Sequence, residues 1–168
     1  MKSIIKLLVA AFLTVAPLTV IAQSNVAHIN VQQLISEMPE VIAAQNELAK
    51  LEKDYTTQID NAFKEFQTKA QSYSSDAANQ TDVTNQARQK ELESMQTNLQ
   101  EFRDSAAQEL QKKQMDLMTP LLEKARNAIT KVGEAQGFNY VIDSSPNGGI
   151  ILANGKDLLA DVKKELGF

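Results

Sequence analysis

The sequence predicts an α+β chain in which a long antiparallel helical hairpin, a coiled-coil-like tentacle, projects from a small β body. Three observations predict it. Residues 39–131 show almost no pattern other than helical spacing. Within that stretch, residues 74–82 read Ser-Ser-Asp-Ala-Ala-Asn-Gln-Thr-Asp, with no apolar stripe and many side chains that compete for backbone hydrogen bonds, so the helix should stop and reverse there. Short apolar or alternating runs near 26–30, 138–143 and 150–152 flank the hairpin and read as strands.

Taken in order, residues 1–22 are set aside first. Lys2 and Lys6 form a basic start, an apolar run follows, and Val20-Ile21-Ala22 ends in small-residue style before Gln23, so a secretory signal peptide cut after Ala22 is expected. A membrane anchor is disfavoured because the apolar run is short and Pro17 interrupts it. Cleavage leaves 146 residues with 15 basic and 21 acidic side chains, net −6. The expected location is extracytoplasmic and soluble. The chain has no Cys, so neither disulfides nor thiolate-bound metals can stabilise it.

Residues 23–38 form the first part of the body. A strand over 26–30 leads to Asn30, which suits an N-cap with Gln33 at the capping-box position, so a brief helix over 31–37 should follow. Pro39, with Glu40 beside it, is favourable at a helix start. The tentacle therefore spans 39–119.

On the first arm, Leu48, Leu51, Tyr55, Ile59, Ala62, Phe66, Ala70 and Tyr73 are separated by steps of three and four that sum to an eleven-residue period. Such a period gives a nearly straight path with loose contact between arms rather than a tight left-handed supercoil. The second arm, from Asp82 or Val83, carries Leu92, Met95, Leu99, Phe102, Ala106, Leu110, Leu117 and Leu121, with glutamine over much of its outer surface. Pro120 should kink it. The rest, 120–168, returns to the body. Gly137 ends the helix, 138–143 and 150–152 should pair as an antiparallel hairpin around Pro146-Asn147-Gly148-Gly149, and Asn154 or Asp157 should cap a last helix over 158–166. Alone, this body is below the size that buries a sizeable core; three copies could close their strands into a shared barrel and hide the edges.

The residues argue against an enzyme. His28 is the one imidazole, in a strand beside Ala27 and Ile29, where packing is the ordinary role. Ser144-Ser145 lacks a glycine-flanked elbow. Paired charges such as Glu47 with Lys50, Asp60 with Lys64, Glu65 with Lys69 and Glu109 with Lys112 or Lys113 read as a solvated helix surface. No cofactor or metal is expected. From Glu40 to Glu134 there are 12 Lys or Arg against 16 Asp or Glu, net −4, which gives no positive field for nucleic acid. What remains is adaptable apolar contact: Met95, Met115 and Met118 with Tyr55, Phe63, Phe66, Tyr73 and Phe102 can meet irregular, partly unfolded partners, the plain alternative being that they form only the seam of the hairpin.

The layout resembles the Skp/OmpH family of periplasmic chaperones. The resemblance rests on the leader, the strand over 26–30 running into Met38-Pro39-Glu40, the long charged hairpin, Ala128-Ile129 and Val132, Gly137-Phe138-Asn139-Tyr140-Val141-Ile142-Asp143, and Asp157 before a final helix ending Leu166-Gly167. It implies a homotrimer with three tentacles around a cavity that holds unfolded outer membrane β-barrel proteins in the periplasm, without ATP. By position it places Leu48, Leu51, Tyr55, Ile59, Phe63, Phe66, Tyr73, Met95, Leu99, Phe102 and Met115 on the cavity lining. It gives Val26, Ile29, Tyr140, Ile142, Ile150 and Leu152 to the barrel and trimer contacts. Transient contact of the tips with a membrane stays open. The best-known members are basic along the tentacles, whereas these arms are acidic, which points to other clients or to more apolar and Gln-rich contact. A structural or envelope-tethering coiled coil that binds a folded partner is the alternative.

Overall fold

The computed structural model describes residues 25–146 and 148–168; the expected leader lies outside the described residues. The elements run β1 (Val26–Ile29), α1 (Val31–Glu37), α2 (Pro39–Asp76), a 3-10 turn (Ala77–Asn79), α3 (Asp82–Ala135), β2 (Tyr140–Asp143), β3 (Lys156–Asp157) and α4 (Leu159–Leu166). At 1.5 Å per residue, α2 and α3 are roughly 57 and 81 Å long.

Local chemistry sets the helix ends. The Asn30 side chain accepts from the Gln33 amide at 2.9 Å, while the Gln33 side chain donates to Glu37 instead of returning to Asn30, so half of the expected capping box forms. Pro39 occupies the first turn of α2, and the Thr81 hydroxyl caps α3 through the Thr84 amide. α3 continues through Pro120 as a single helix. Pro120 and Asp116 are both exposed, so water can serve the carbonyl of Asp116 that the proline leaves free. At its far end, Phe138 N–H donates to Gly133 and Gly137 N–H to Glu134, with Gly137 at φ 75°, a complete Schellman closure.

The sheet departs from the sequence expectation. Its order is β2-β1-β3, and both neighbours run parallel to β1, with Val26 opposite Tyr140, Ile29 opposite Asp143 and His28 opposite Asp157. The antiparallel hairpin expected between 138–143 and 150–152 does not form. Its cause lies just after β2: the Asp143 carboxylate accepts from the Ser145 amide at 2.9 Å, and the Ser145 hydroxyl accepts from the Gln32 amide at 3.0 Å. The chain is thereby drawn to the start of α1 and cannot fold straight back. Ile150 and Leu152 are left outside any strand and exposed, with Ile151 between them fully so.

The core lies where one face of this sheet meets the four helices. Ile29, Leu34, Met38, Val41, Leu158 and Val162 are each at most 1% exposed, packed with Ala125, Ala128 and Val132 of α3. Burying a side chain of this kind contributes about 1.5–3 kcal/mol. Gly133 permits the approach of α3 to β2, since a Cβ there would sit 2.8 Å from Cγ2 of Val141. Ile29, expected to serve contacts between chains, instead packs inside this core, because inward alternation along β1 sends Ala27 and Ile29 to the helix side.

Candidate functional site: the arm seam and the body groove

The apolar stripes of α2 and α3 face each other, and Leu48, Leu51, Tyr55, Ile59, Phe66, Tyr73, Met95 and Phe102 are all half-buried between the arms. Leu99 is buried, and Tyr55 meets Phe102 edge-on with ring centroids 6.0 Å apart. Two side chains expected at the same surface stand clear of the seam: Phe63 is 40% and Met115 54% exposed. Crevices of about 460 and 350 Å³ open on either side of Leu99, one lined by Phe63, Phe66 and Gln100, the other by Ala62, Met95 and Phe102. Two helices with only each other to pack on leave such gaps, because a single neighbour leaves the flanks of each stripe partly open.

Polar stitches hold the flanks of the seam, and the sequence reading missed them. Glu47 bonds Lys113 at 2.8 Å, Tyr55 donates to Glu109, and near the tip Tyr73 donates to Glu91 at 2.6 Å while Lys69 pairs with the same carboxylate. Arg88 pairs with Asp76 at 3.1 Å and lies over the Tyr73 ring, 4.7 Å from its centroid. Glu47, Lys69 and Glu109 were expected to pair along their own helices. Glu65 and Lys69 do approach to 4.0 Å, but positions flanking a seam face the other arm, and that geometry takes the stronger partner. The signal was a charged residue one step beside the stripe on each helix, together with the Tyr residues within the stripe of α2.

The stitches move the titrations. Hydrogen bonds from Lys69 and Tyr73 hold the Glu91 carboxyl below its ordinary value of 4.5, Arg88 and Asn79 do the same for Asp76, and Lys124 for Glu40. The Glu91 and Glu109 carboxylates push the Tyr73 and Tyr55 hydroxyls up.

At the base, a groove of about 590 Å³ runs between α3 and β2, lined by Ile35, Leu122, Ile129, Phe138, Tyr140 and Val141 among others. Tyr140 is 62% exposed at its mouth, and Val26 and Ile142 are partly exposed on the sheet. His28 bonds Ser144 through Nδ1 at 3.1 Å. The Asp143 and Asp157 carboxylates are both engaged by backbone amides: Asp143 accepts from the Val31 and Ser145 amides and Asp157 from the Leu159 amide. Burial pushes the Asp143 carboxyl up, and the bonds from Ser145 and Val31 outweigh it, leaving it below its ordinary value. Among the described residues no helix is long and apolar enough to cross a membrane.

This geometry, long arms on a small mixed body, can be set against known proteins. The OmpH family, described as outer membrane protein (OmpH-like), matches residues 25–166. The chain belongs to the OmpH-like family. A curated relative, the chaperone protein Skp of Yersinia enterocolitica, is 26% identical over 148 residues, covering 85% of this chain and 86% of that protein. Among solved structures, an OmpH-like outer membrane chaperone of Caulobacter crescentus CB15 superposes with a TM-score of 0.76 at 12% identity, over 84% of this chain and 83% of that one. The likeness in structure shows a shared OmpH-like fold, and the curated relative is named a chaperone.

Proposed function

We propose that the chain is an ATP-independent holdase of the periplasm that keeps unfolded outer membrane β-barrel proteins from aggregating in a cavity between the arms of a homotrimer. The observation that supports it most is the half-buried seam. Tyr55, Phe66, Tyr73, Met95 and Phe102 are neither sealed nor free, and Phe63 and Met115 already face outward. Long arms that splay can therefore offer Leu48, Leu51, Ile59 and Leu99 as well, and Met and aromatic side chains adapt to irregular guests.

The trimer is supported by what the single body leaves uncovered. Val26, Tyr140, Ile142, Ile150 and Leu152 are exposed, and the three-stranded sheet has open edges. In this reading residues 23–38 and 120–168 make the shared body, residues 39–119 the tentacle, and residues 1–22 the secretory leader.

Diluting a urea-unfolded outer membrane barrel into the mature protein, one trimer per client and no nucleotide, should suppress light scattering from aggregates; unchanged aggregation sinks the holdase. Static light scattering of the protein alone should give about three chains, and a mass near one chain removes the shared body. A dominant crosslink to one folded partner would favour the tethering coiled coil.

A further inference from the structure

The two sides of the hairpin are chemically different. Eleven residues make three helical turns, so positions eleven apart lie in one row. On α2 this places Gln45, Thr56 and Gln67 in one row and Asp54, Glu65 and Asp76 in another; Asp54 and Thr56, two residues apart, stand about 200° around the helix from each other. On α3 the row is Gln89, Gln100 and Gln111. Phe63 and Phe66 share their crevice with Gln96, Thr97 and Gln100. Phe63 is one turn from Gln67, so the glutamine row of α3 and the Gln/Thr row of α2 flank the same side of the seam.

The stitches are on the opposite side. Glu47 with Lys113 and Tyr55 with Glu109 line a crevice that also carries Lys50, Asp54, Lys112 and Asp116. Lys69 with Glu91, and Asp76 with Arg88, extend it to the tip. Among the described residues, no hydrogen bond or ion pair crosses between the arms on the glutamine side below the tip, where the Asn85 side chain donates to the Ala77 carbonyl at 3.0 Å. Glu52 and Arg103 are charges within it, Asp60 lies one turn from Thr56 beside the α2 row, and the acidic residues at its α3 border, Glu93 and Asp104, accept from Gln89 at 3.1 Å and Gln100 at 3.0 Å. The side-chain amides of Gln45, Gln67, Gln96 and Gln111 make no hydrogen bond among the described residues.

From this segregation, and resting on the holdase reading above, we propose that the arms hold an extended, unfolded polypeptide on the glutamine side alone, through its backbone amides. A glutamine side chain offers two N–H donors and a carbonyl acceptor, the complement of a peptide group of any sequence. An unfolded chain has free peptide groups to offer, whereas a folded partner has paired its own. This side also presents fewer carboxylates to be desolvated against a client than the stitched side does. Phe63 supplies apolar contact in the middle of the track.

The chain has no cysteine, which permits single labels. In the full mature protein, Gln67→Cys and Gln100→Cys on the glutamine side, and Asp54→Cys and Asp116→Cys on the other, each carry an environment-sensitive fluorophore, and a urea-unfolded barrel protein is diluted in. Emission should shift at 67 and 100 and stay unchanged at 54 and 116. Gln67→Glu, Gln100→Glu and Gln111→Glu combined should weaken client capture about tenfold or more, because the new carboxylates would be desolvated against the bound chain. Asp54→Asn with Asp116→Asn should leave capture within about twofold. Should the unsubstituted protein fail to hold the client, the holdase reading falls and this inference with it. Should it hold the client while all four labels respond alike, or while the triple variant holds equally well, only the one-sided track is overturned. A shift at 67 and 100 on assembly without client would make that side a contact between copies and overturn it too.

Discussion

In the body, Leu34, Met38, Val41, Leu158 and Val162 are sealed from water in one core to which β1 and all four helices contribute, whereas in the arms Tyr55, Ile59, Phe66 and Phe102 of the central stripe keep part of their surface wet. The same kinds of side chain are used in both places. What differs is the number of neighbours: the body closes helices over a sheet, and the arm has one partner helix and a line of ion pairs. A region held in this way can open at low cost while its base stays folded, which is the property an arm that admits a guest requires.

That contrast can be broken from the body side with the largest effect. Leu158→Ala, in a side chain with no exposed surface, should cost about 2–5 kcal/mol in urea unfolding followed by near-ultraviolet signals of the body. Leu51→Ala, half-solvated in the seam, should cost well under that, and an equal loss would show that arm and body unfold as one unit. Gly133→Val should cost about 1–3 kcal/mol by overpacking against Val141, with Val141→Ala recovering part of the loss in a double-mutant cycle. Asp143→Ala, which strips the first turn of α1 of a remote acceptor, should cost about 0.5–2 kcal/mol, and Asp143→Asn less, since Asn also caps.

The smallest effect belongs to pH and should show first in the arms, since the body, where Glu37, Asp143 and Asp161 are also held below their ordinary values, keeps a sealed apolar core besides its polar bonds. Glu91, Glu40 and Asp76 have native values lowered from 4.5, 4.5 and 3.8. Their stitches are therefore complete above the ordinary carboxylate range and are lost as pH falls through the lowered values. Hydrogen exchange corrected for its intrinsic pH dependence should show the seam loosening before the body between about pH 5 and 3. Glu91→Gln should remove most of the tip's share of that response, and an unchanged profile would deny the stitches any part in closing the arms.

Much of the arm was legible in the sequence because it depends on local period. The starts at Pro39 and Asp82, the reversal after Asp76 and the eleven-residue stripe follow from spacing and capping chemistry within a few turns. Gly137 was legible for the same reason. The glutamine and carboxylate rows were also present in the spacing, but their meaning needed the relative rotation of the two helices, which no single helix specifies.

The sequence by itself determined the hairpin, its length and its acidic balance, since each is a sum over neighbouring residues. Tertiary structure alone decided the sheet. The turn signal of Asn147-Gly148-Gly149 argued for a local hairpin, yet residues more than a hundred positions away, the first amides of α1, bind Asp143 and Ser145 and lead the chain into parallel pairing on both sides of β1. It also decided which flanking charges cross the seam and that Ile29 faces its own core. Such outcomes turn on competition between partners far apart in the chain, and a partner's distance in space is what the order of residues does not contain.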